Sequence, residues 1–238
     1  MSGGGTHSLT PWFRAFTLAE ILITLGIIGV VAALTMPSLI QHHKKQEASA
    51  RLKKFYSAMS QAILLSEIDN GPVVGWNKTD VLKDENGEVI NEENRKLGIT
   101  YFNTYLKPYL KYAKIDENPE DLQNEDGQSN RLRIYLADGT TIELYNGNCA
   151  DIRLDINGQK APNQYGRDKF AFLICSKDVD LRWHFNNKKT FGSFCIENYN
   201  VCDTRAKALA LCKANPGTCT RLLEMDNFEF KDDYPYKL

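Results

Sequence analysis

The sequence has no excess of charge of either sign, because 29 Lys and Arg residues oppose 30 Asp and Glu residues. Domains that bind nucleic acid usually carry a basic excess, so nucleic acid is not indicated as a partner. Repeats and low-complexity segments are also missing. With 42% hydrophobic and 11% aromatic residues, the chain is neither disordered nor fibrous. Its 238 residues allow one large domain or two small ones.

Signatures of catalysis are missing as well. The chain contains no G-x-S-x-G, P-loop or H-E-x-x-H motif. It has no C-x-x-C pair either, so zinc knuckles and thioredoxin-like redox motifs are not supported. The four histidines are scattered, at His7, His42, His43 and His184. We therefore expect that the protein is not an enzyme and uses no cofactor.

One long apolar run dominates the N-terminal part. Residues 21–40 are twenty residues without a formal charge, followed by the polar residues His42, His43, Lys44 and Lys45. A helix of this length spans about 30 Å, which is the thickness of a bilayer's hydrocarbon core. The run is longer than the roughly 7–15 apolar residues of a secretory signal. It predicts a membrane-embedded helix, in which Pro37 would produce a kink or a local loss of helix.

The residues around the start of this run carry a family resemblance. The segment AFTLAEILITLGIIGVVAA, residues 15–33, resembles the cleavage and methylation signal of type IV prepilins and type II secretion pseudopilins. The resemblance implies that a prepilin peptidase cuts between Ala15 and Phe16 and that Phe16 is then N-methylated. The family usually has Gly before the cut, where this chain has Ala15. Removing 15 of the 238 residues leaves a mature chain of 223.

Glu20 is the one acidic residue at the entrance to the apolar run. A carboxylate that enters the bilayer costs about 3 kcal/mol on insertion scales and usually has a partner or a function. The resemblance implies that it pairs with the methylated amine of a neighbouring subunit and so serves assembly. The alternative is an interfacial Glu beside lipid headgroups.

Membrane topology is left open by the charges. The leader carries Arg14 and His7, whereas basic residues are frequent after the run, from Lys44 to Lys54. The positive-inside rule would therefore place the C-terminal part in the cytoplasm. The resemblance implies the opposite: a single-pass protein of the bacterial inner membrane with its head outside the cytoplasm, which later enters a filament or pseudopilus.

The helix is predicted to continue beyond the membrane. Residues 44–68 contain good helix formers and no Gly or Pro, and their apolar residues recur at spacings of three and four. These apolar residues are Leu52, Phe55, Tyr56, Met59, Ala62, Ile63 and Leu65. The turn residues 69–72 end the helix. We predict a leader over 1–15, a transmembrane and assembly helix over 16–40, its amphipathic continuation over 41–69 and a globular head over 70–238.

The head is predicted to be α+β. An alternating pattern around Asp138-Gly139 predicts a hairpin over residues 131–146. This hairpin and two further strands form an antiparallel sheet of about four strands, which packs on the long helix in a pilin-like arrangement. The other expectations are a loop over 72–99, a helix over 99–114 interrupted at Pro108, a solvated acidic loop over 115–130, strands over 151–156 and 169–175, added strand structure at 183–185, and helices over 204–214 and 219–225.

A weak calcium candidate lies in the head. Asp151, Asp155, Asn157 and Asp168 are closely spaced oxygen-bearing residues, and Ca²⁺ prefers several oxygen ligands. Some pseudopilins bind calcium in a head loop, as the resemblance implies. The spacing does not fit an EF-hand, however. A structural Asn-Gly turn held by Asx hydrogen bonds is the favoured interpretation.

Six cysteines lie in the head. They allow fifteen pairings, and their even number together with an exported head favours disulfides. We favour Cys149–Cys175 across the sheet and Cys195–Cys202 and Cys212–Cys219 as local loops. Buried free thiols are the alternative.

Together these features predict a structural subunit, a minor pilin or pseudopilin, of a type IV pilus or type II secretion-like filament. The resemblance implies as partners other pilin-like subunits, the prepilin peptidase, an inner-membrane assembly platform and the lipid bilayer. The alternative function is a membrane-tethered extracytoplasmic binding module or adhesin.

Overall fold

One helix extends over 53 residues. The computed structural model describes residues 16–77, 81–123, 125, 127–147, 149–175, 190–195 and 201–238, and helix α1 spans Leu18–Asn70. The predicted helix is thus confirmed to within two residues at its start and one at its end. Helix α1 continues through Pro37, so the predicted local loss of helix is wrong, and the alternative, a kink, stays a prediction. The chain divides into two compact units, Met1–His42 and His43–Leu238.

A six-stranded antiparallel sheet forms the centre of the second unit. Its strands β1 Tyr112–Asp116, β2 Leu132–Leu136, β3 Thr141–Asn146, β4 Ala150–Asp155, β5 Lys169–Ile174 and β6 Phe191–Ser193 pair in chain order. The predicted hairpin at Asp138-Gly139 joins β2 to β3, and Gly139 takes a positive φ of 85° in the turn. The α+β class and the pilin-like arrangement of a long helix with an antiparallel sheet are therefore confirmed. Within the described residues, the sheet has six strands rather than about four.

The core lies between the sheet and the amphipathic part of α1. Side chains of Ile142, Leu144, Ile152 and Leu154, which alternate along β3 and β4, are buried in the cluster that also contains Leu52 of α1. Aromatic rings continue this contact. The ring centroids of Phe55 on α1 and Phe172 on β5 are 5.3 Å apart. Most of the predicted helix face is buried, but Leu65 remains 48% exposed.

The segment before the sheet differs from the prediction. Helix α2 spans Asn91–Tyr101, so it begins inside the region predicted as a loop. It continues as a π-helical turn over Phe102–Leu106 and a 3-10 turn that contains Pro108. The chain is already extended at Tyr112, where β1 begins, so the predicted helix over 99–114 is wrong at both ends. Pairing with β2 determines this edge strand, and its sequence alone does not show the partner.

Two short helices close the chain. Helix α3 spans Arg205–Ala214 and α4 spans Cys219–Met225, as predicted to within one residue. The Thr204 hydroxyl caps α3 by accepting a hydrogen bond from the Lys207 backbone N–H. After α4, the buried rings of Phe228, Phe230 and Tyr234 join the main core. The predicted strand structure at 183–185 lies outside the described residues.

Candidate functional site

The apolar run is helical and its side chains are exposed. Large apolar residues along it keep much of their surface accessible, for example Leu34 at 75% and Ile28 at 63%. Helix α1 is long and apolar enough in this part to cross a membrane, by length and composition. An exposed apolar surface of this size is not stable in water, so a bilayer or other protein surfaces must cover it.

Thr17 and Glu20 form a capping box at the start of α1. The Glu20 carboxylate accepts hydrogen bonds from the backbone N–H and the hydroxyl of Thr17, each 2.9 Å long. In return, the Thr17 hydroxyl oxygen accepts from the Glu20 N–H at 3.2 Å. This pattern satisfies N–H groups that a helix start leaves without partners. The motif T-x-x-E at residues 17–20 is a known signal for it, which the sequence interpretation of Glu20 missed.

The structure describes one of the two residues of the predicted cleavage site. Ala15 lies outside the described residues. Phe16 directly precedes Thr17 and is 81% exposed. Cleavage, methylation and the pairing of Glu20 with a neighbour's amine all stay predictions.

Three of the four calcium candidates lie together, and the fourth lies elsewhere. The Asp155 carboxylate accepts from the Asn157 N–H at 3.1 Å, and the Asn157 amide donates to Asp168 at 3.2 Å. Asp151 stands four residues earlier on β4, about 13 Å away along an extended strand. Within the residues that the structure describes, no group of three or more His, Cys, Asp or Glu side chains is arranged to hold a metal.

Hydrogen bonds give this loop a structural role. Both Asp168 oxygens accept backbone N–H groups, from Asn163 at 2.8 Å and from Gln164 at 2.6 Å. The favoured interpretation, a turn held by Asx hydrogen bonds, is confirmed. Burial raises the pKa of Asp155 to about 7, and the nearby charge of Asp168 adds to this shift, against the hydrogen bond from Asn157.

A charged cluster covers the other face of the sheet. Arg133 on β2 is 3% exposed and forms a bidentate ion pair with Asp121 at 2.6 and 2.8 Å. It also donates to Glu143 on β3, which in turn accepts from Lys169 on β5. Although burial opposes it, the hydrogen bonds and charges of Asp121 and Glu143 raise the pKa of Arg133. Asp121 lies in the segment predicted as a solvated acidic loop, and its ion pair with Arg133 links that segment to β2 of the sheet.

All three predicted disulfides are present. Cys149–Cys175 joins residues that flank the register pair Ala150–Ile174 of β4 and β5. Cys195–Cys202 and Cys212–Cys219 close loops with a sequence separation of 7. The last of these links the end of α3 to the start of α4.

One comparison with known proteins identifies a family. A family model described as a family of unknown function, DUF6613, matches residues 38–238, which is most of the chain. The chain belongs to this family. This membership covers the head that contains the sheet, the charged cluster and the disulfides, and it assigns no activity to them. No solved structure matches the chain.

A second comparison concerns a pilin. The chain is 40% identical over 62 residues to the type IV major pilin protein PilA of Myxococcus xanthus strain DK1622. The match covers 25% of this chain and 27% of that pilin, so the DUF6613 protein spans about a quarter of the relative's length. Partial similarity to a pilin and a long apolar N-terminal helix thus occur in the same chain.

Proposed function

We propose that this DUF6613 protein is a structural subunit of a type IV pilus or a type II secretion-like filament, assembled through its N-terminal helix. The observation that carries the proposal is the exposed, uncharged helical run over residues 21–40. The 62-residue similarity to a major pilin supports the same role. Before assembly the run anchors the subunit in the bacterial inner membrane, and in the filament the runs of neighbouring subunits cover one another. No catalytic role is part of this proposal.

Processing is the first part of the proposal to test. Prepilin peptidase removes residues 1–15, and Phe16 is then methylated. Intact-mass spectrometry of protein extracted from the membranes of the natural host should show a chain that starts at methylated Phe16. A chain that retains residues 1–15 in a host with an active peptidase contradicts a pilin-type subunit.

Topology is tested separately. A subunit that joins an external filament must present its head outside the cytoplasm, against the count of basic residues after the run. An alkaline phosphatase fusion after Leu238 should be active, and a reporter that works only in the cytoplasm should be inactive at the same position. The reverse result means that the head lies in the cytoplasm, as the positive-inside rule predicts.

Filament assembly separates the proposed function from the alternative. Shearing should release the mature chain together with other pilin-like subunits, delivered by the inner-membrane assembly platform. A membrane-tethered binding module or adhesin remains in the membrane fraction after shearing. Mature protein that is absent from every sheared filament fraction therefore favours the tethered module.

A further inference from the structure

A basic cavity lies where α1 enters the second unit. Its volume is about 280 Å³, and its lining comes from α1 residues 44–51, from the turn after β4 and from Leu238. Four basic side chains line it: Lys44 and Arg51 from α1, and Lys160 and Arg167 from the turn. The Arg51 guanidinium links α1 to the turn after β4 by donating a hydrogen bond to the Ile156 carbonyl at 2.9 Å.

The acidic side chains of the lining are already engaged. Glu47 accepts two hydrogen bonds from Arg51, at 3.0 and 3.1 Å. Both carboxylate oxygens of Asp168 accept backbone N–H groups of the same turn. Among the side chains of the lining four bases oppose two acids, and one of the bases, Lys44, donates to the Leu238 main-chain oxygen at 3.4 Å.

Hydrogen-bonding capacity is left over in this cavity. Among the described residues, Lys160 has no ion pair, and the buried Nε of Arg167 has no acceptor. A ligand that fits has an anionic group for these two basic residues, and the phosphate of a phosphate diester is such a group.

The position along the chain indicates where such a ligand comes from. Lys44 follows Ile40, the last residue of the uncharged run, by four residues, and four residues span at most about 14 Å. The polar headgroup layer extends about 5–8 Å beyond the hydrocarbon core on each side. If the run is embedded, Lys44 therefore lies at or next to the headgroups.

We propose that this cavity binds the headgroup phosphate of an anionic phospholipid, with Lys160 and Arg167 as its ligands on the turn. The inference rests on the proposed membrane anchoring. It assigns lipid binding to the turn after β4. The apolar part of the lining, which includes Ala48, Ile156 and Pro162, suits the glycerol backbone of the lipid.

The first test uses the full chain in nanodiscs, without mutation. Lys160 and Lys213 are both exposed, and only Lys160 lines the cavity. In discs that contain phosphatidylglycerol, acetylation of Lys160 should slow about fivefold relative to phosphatidylcholine discs, the effect of one charge contact near a membrane. Acetylation of Lys213 should not change. Equal rates for Lys160 in both kinds of disc overturn the proposal.

The second test compares two charge-matched variants by native mass spectrometry of bound lipid. Lys160→Gln/Arg167→Gln should bind phosphatidylglycerol about tenfold or more weakly than the wild type. Lys83→Gln/Lys213→Gln removes two positive charges outside the cavity and should retain the wild-type affinity. Equal loss in both variants means general charge attraction and overturns the site. Circular dichroism checks that both variants fold.

Two further outcomes concern the source of the phosphate and the membrane itself. If inorganic phosphate or glycerol phosphate protects Lys160 as well as the lipid does, the site takes a soluble phosphate and the lipid assignment is wrong. A chain that does not co-elute with nanodiscs overturns both the anchoring and the lipid site. A chain that co-elutes without preference for phosphatidylglycerol overturns the lipid site alone and leaves the filament proposal standing.

Discussion

The Glu20 carboxylate of this DUF6613 protein lies 2.9 Å from both the backbone nitrogen and the hydroxyl of Thr17 in the same chain. Glu20 therefore has a partner before any neighbouring subunit arrives. The capping box holds the carboxylate at the very start of α1, and its proposed cationic partner in the filament is the Phe16 amine of a neighbouring subunit. Capping within one chain needs a side-chain oxygen at residue 20, whereas pairing between chains needs the negative charge as well. The two roles can therefore be separated by substitution.

The first prediction separates these two roles. Gln at the third helical position still completes a capping box, but it has no charge. If the charge pair serves assembly, Glu20→Gln and Glu20→Ala should both lower incorporation into sheared filaments, by about tenfold or ~1.4 kcal/mol per contact. Membrane insertion and cleavage before Phe16 should persist in both. Immunoblots of sheared fractions at equal membrane levels measure this, and wild-type incorporation of Glu20→Gln would leave only the capping role.

The second prediction concerns pH. The raised pKa of Asp155, about 7, means that the folded state holds a proton that the unfolded state releases near pH 4. Stability should therefore fall as pH rises from about 4 to 7, by at most about 4 kcal/mol from this group. Asp155→Asn cannot ionise and should flatten this decline in urea unfolding at pH 5 and pH 8.

An exposed Asp in a similar turn provides the control for that experiment. Asp84 accepts from the backbone N–H groups of Asn86 and Glu88, as Asp155 accepts from that of Asn157. Asp84→Asn should leave the difference between pH 5 and pH 8 at its wild-type value. A decline as steep in Asp155→Asn as in the wild type would show that other groups cause it.

The third prediction concerns two turns that touch. Gly158 has a positive φ of 73°, and a Cβ built on it would lie 2.9 Å from the Gly139 carbonyl oxygen. Gly158→Ala should lower the free energy of unfolding by about 2–3 kcal/mol, because it combines backbone strain with a clash. Gly87 has a φ of 83° and nothing within 4 Å of its Cβ position, so Gly87→Ala reports the strain alone. Equal effects of the two substitutions in urea unfolding would mean that the turns move apart, and so relieve the clash, without any further loss of unfolding free energy.

The fourth prediction compares two disulfides. Replacing Cys212 and Cys219 by Ser should cost about 2.5 kcal/mol of unfolding free energy in the loop-entropy model. The Cys149–Cys175 bond has a sequence separation of 26 rather than 7. Its loss should cost about 1 kcal/mol more, because the longer loop gains more freedom in the unfolded chain. Chemical unfolding of the two double variants measures the difference, and a larger cost for the short loop contradicts the model.

Sequence patterns predicted those parts of the fold that depend on neighbours along the chain. Helix α1 follows from an uncharged run joined to apolar residues at spacings of three and four, and both signals are local. The Asp138-Gly139 turn is likewise local, since glycine favours the positive φ that the turn requires. The sequence prediction missed the early start of α2, although Glu92 and Glu93 lie in its first turn at helical spacings from Lys96, with which they form ion pairs.

Tertiary structure decided what depends on distant partners. Strand β1 is extended because it pairs with β2, and Asp121 is an ion-pair partner because β2 brings Arg133 to it. The basic cavity joins Arg51 with Arg167 across more than a hundred residues. By itself the sequence determined the long helix, the capping signal at Thr17 and Glu20, and the hairpin turn. The free energy of the whole packed head determines which strands lie at the sheet edges and which charged residues form ion pairs. A short segment of sequence lacks the distant residues that contribute to this free energy.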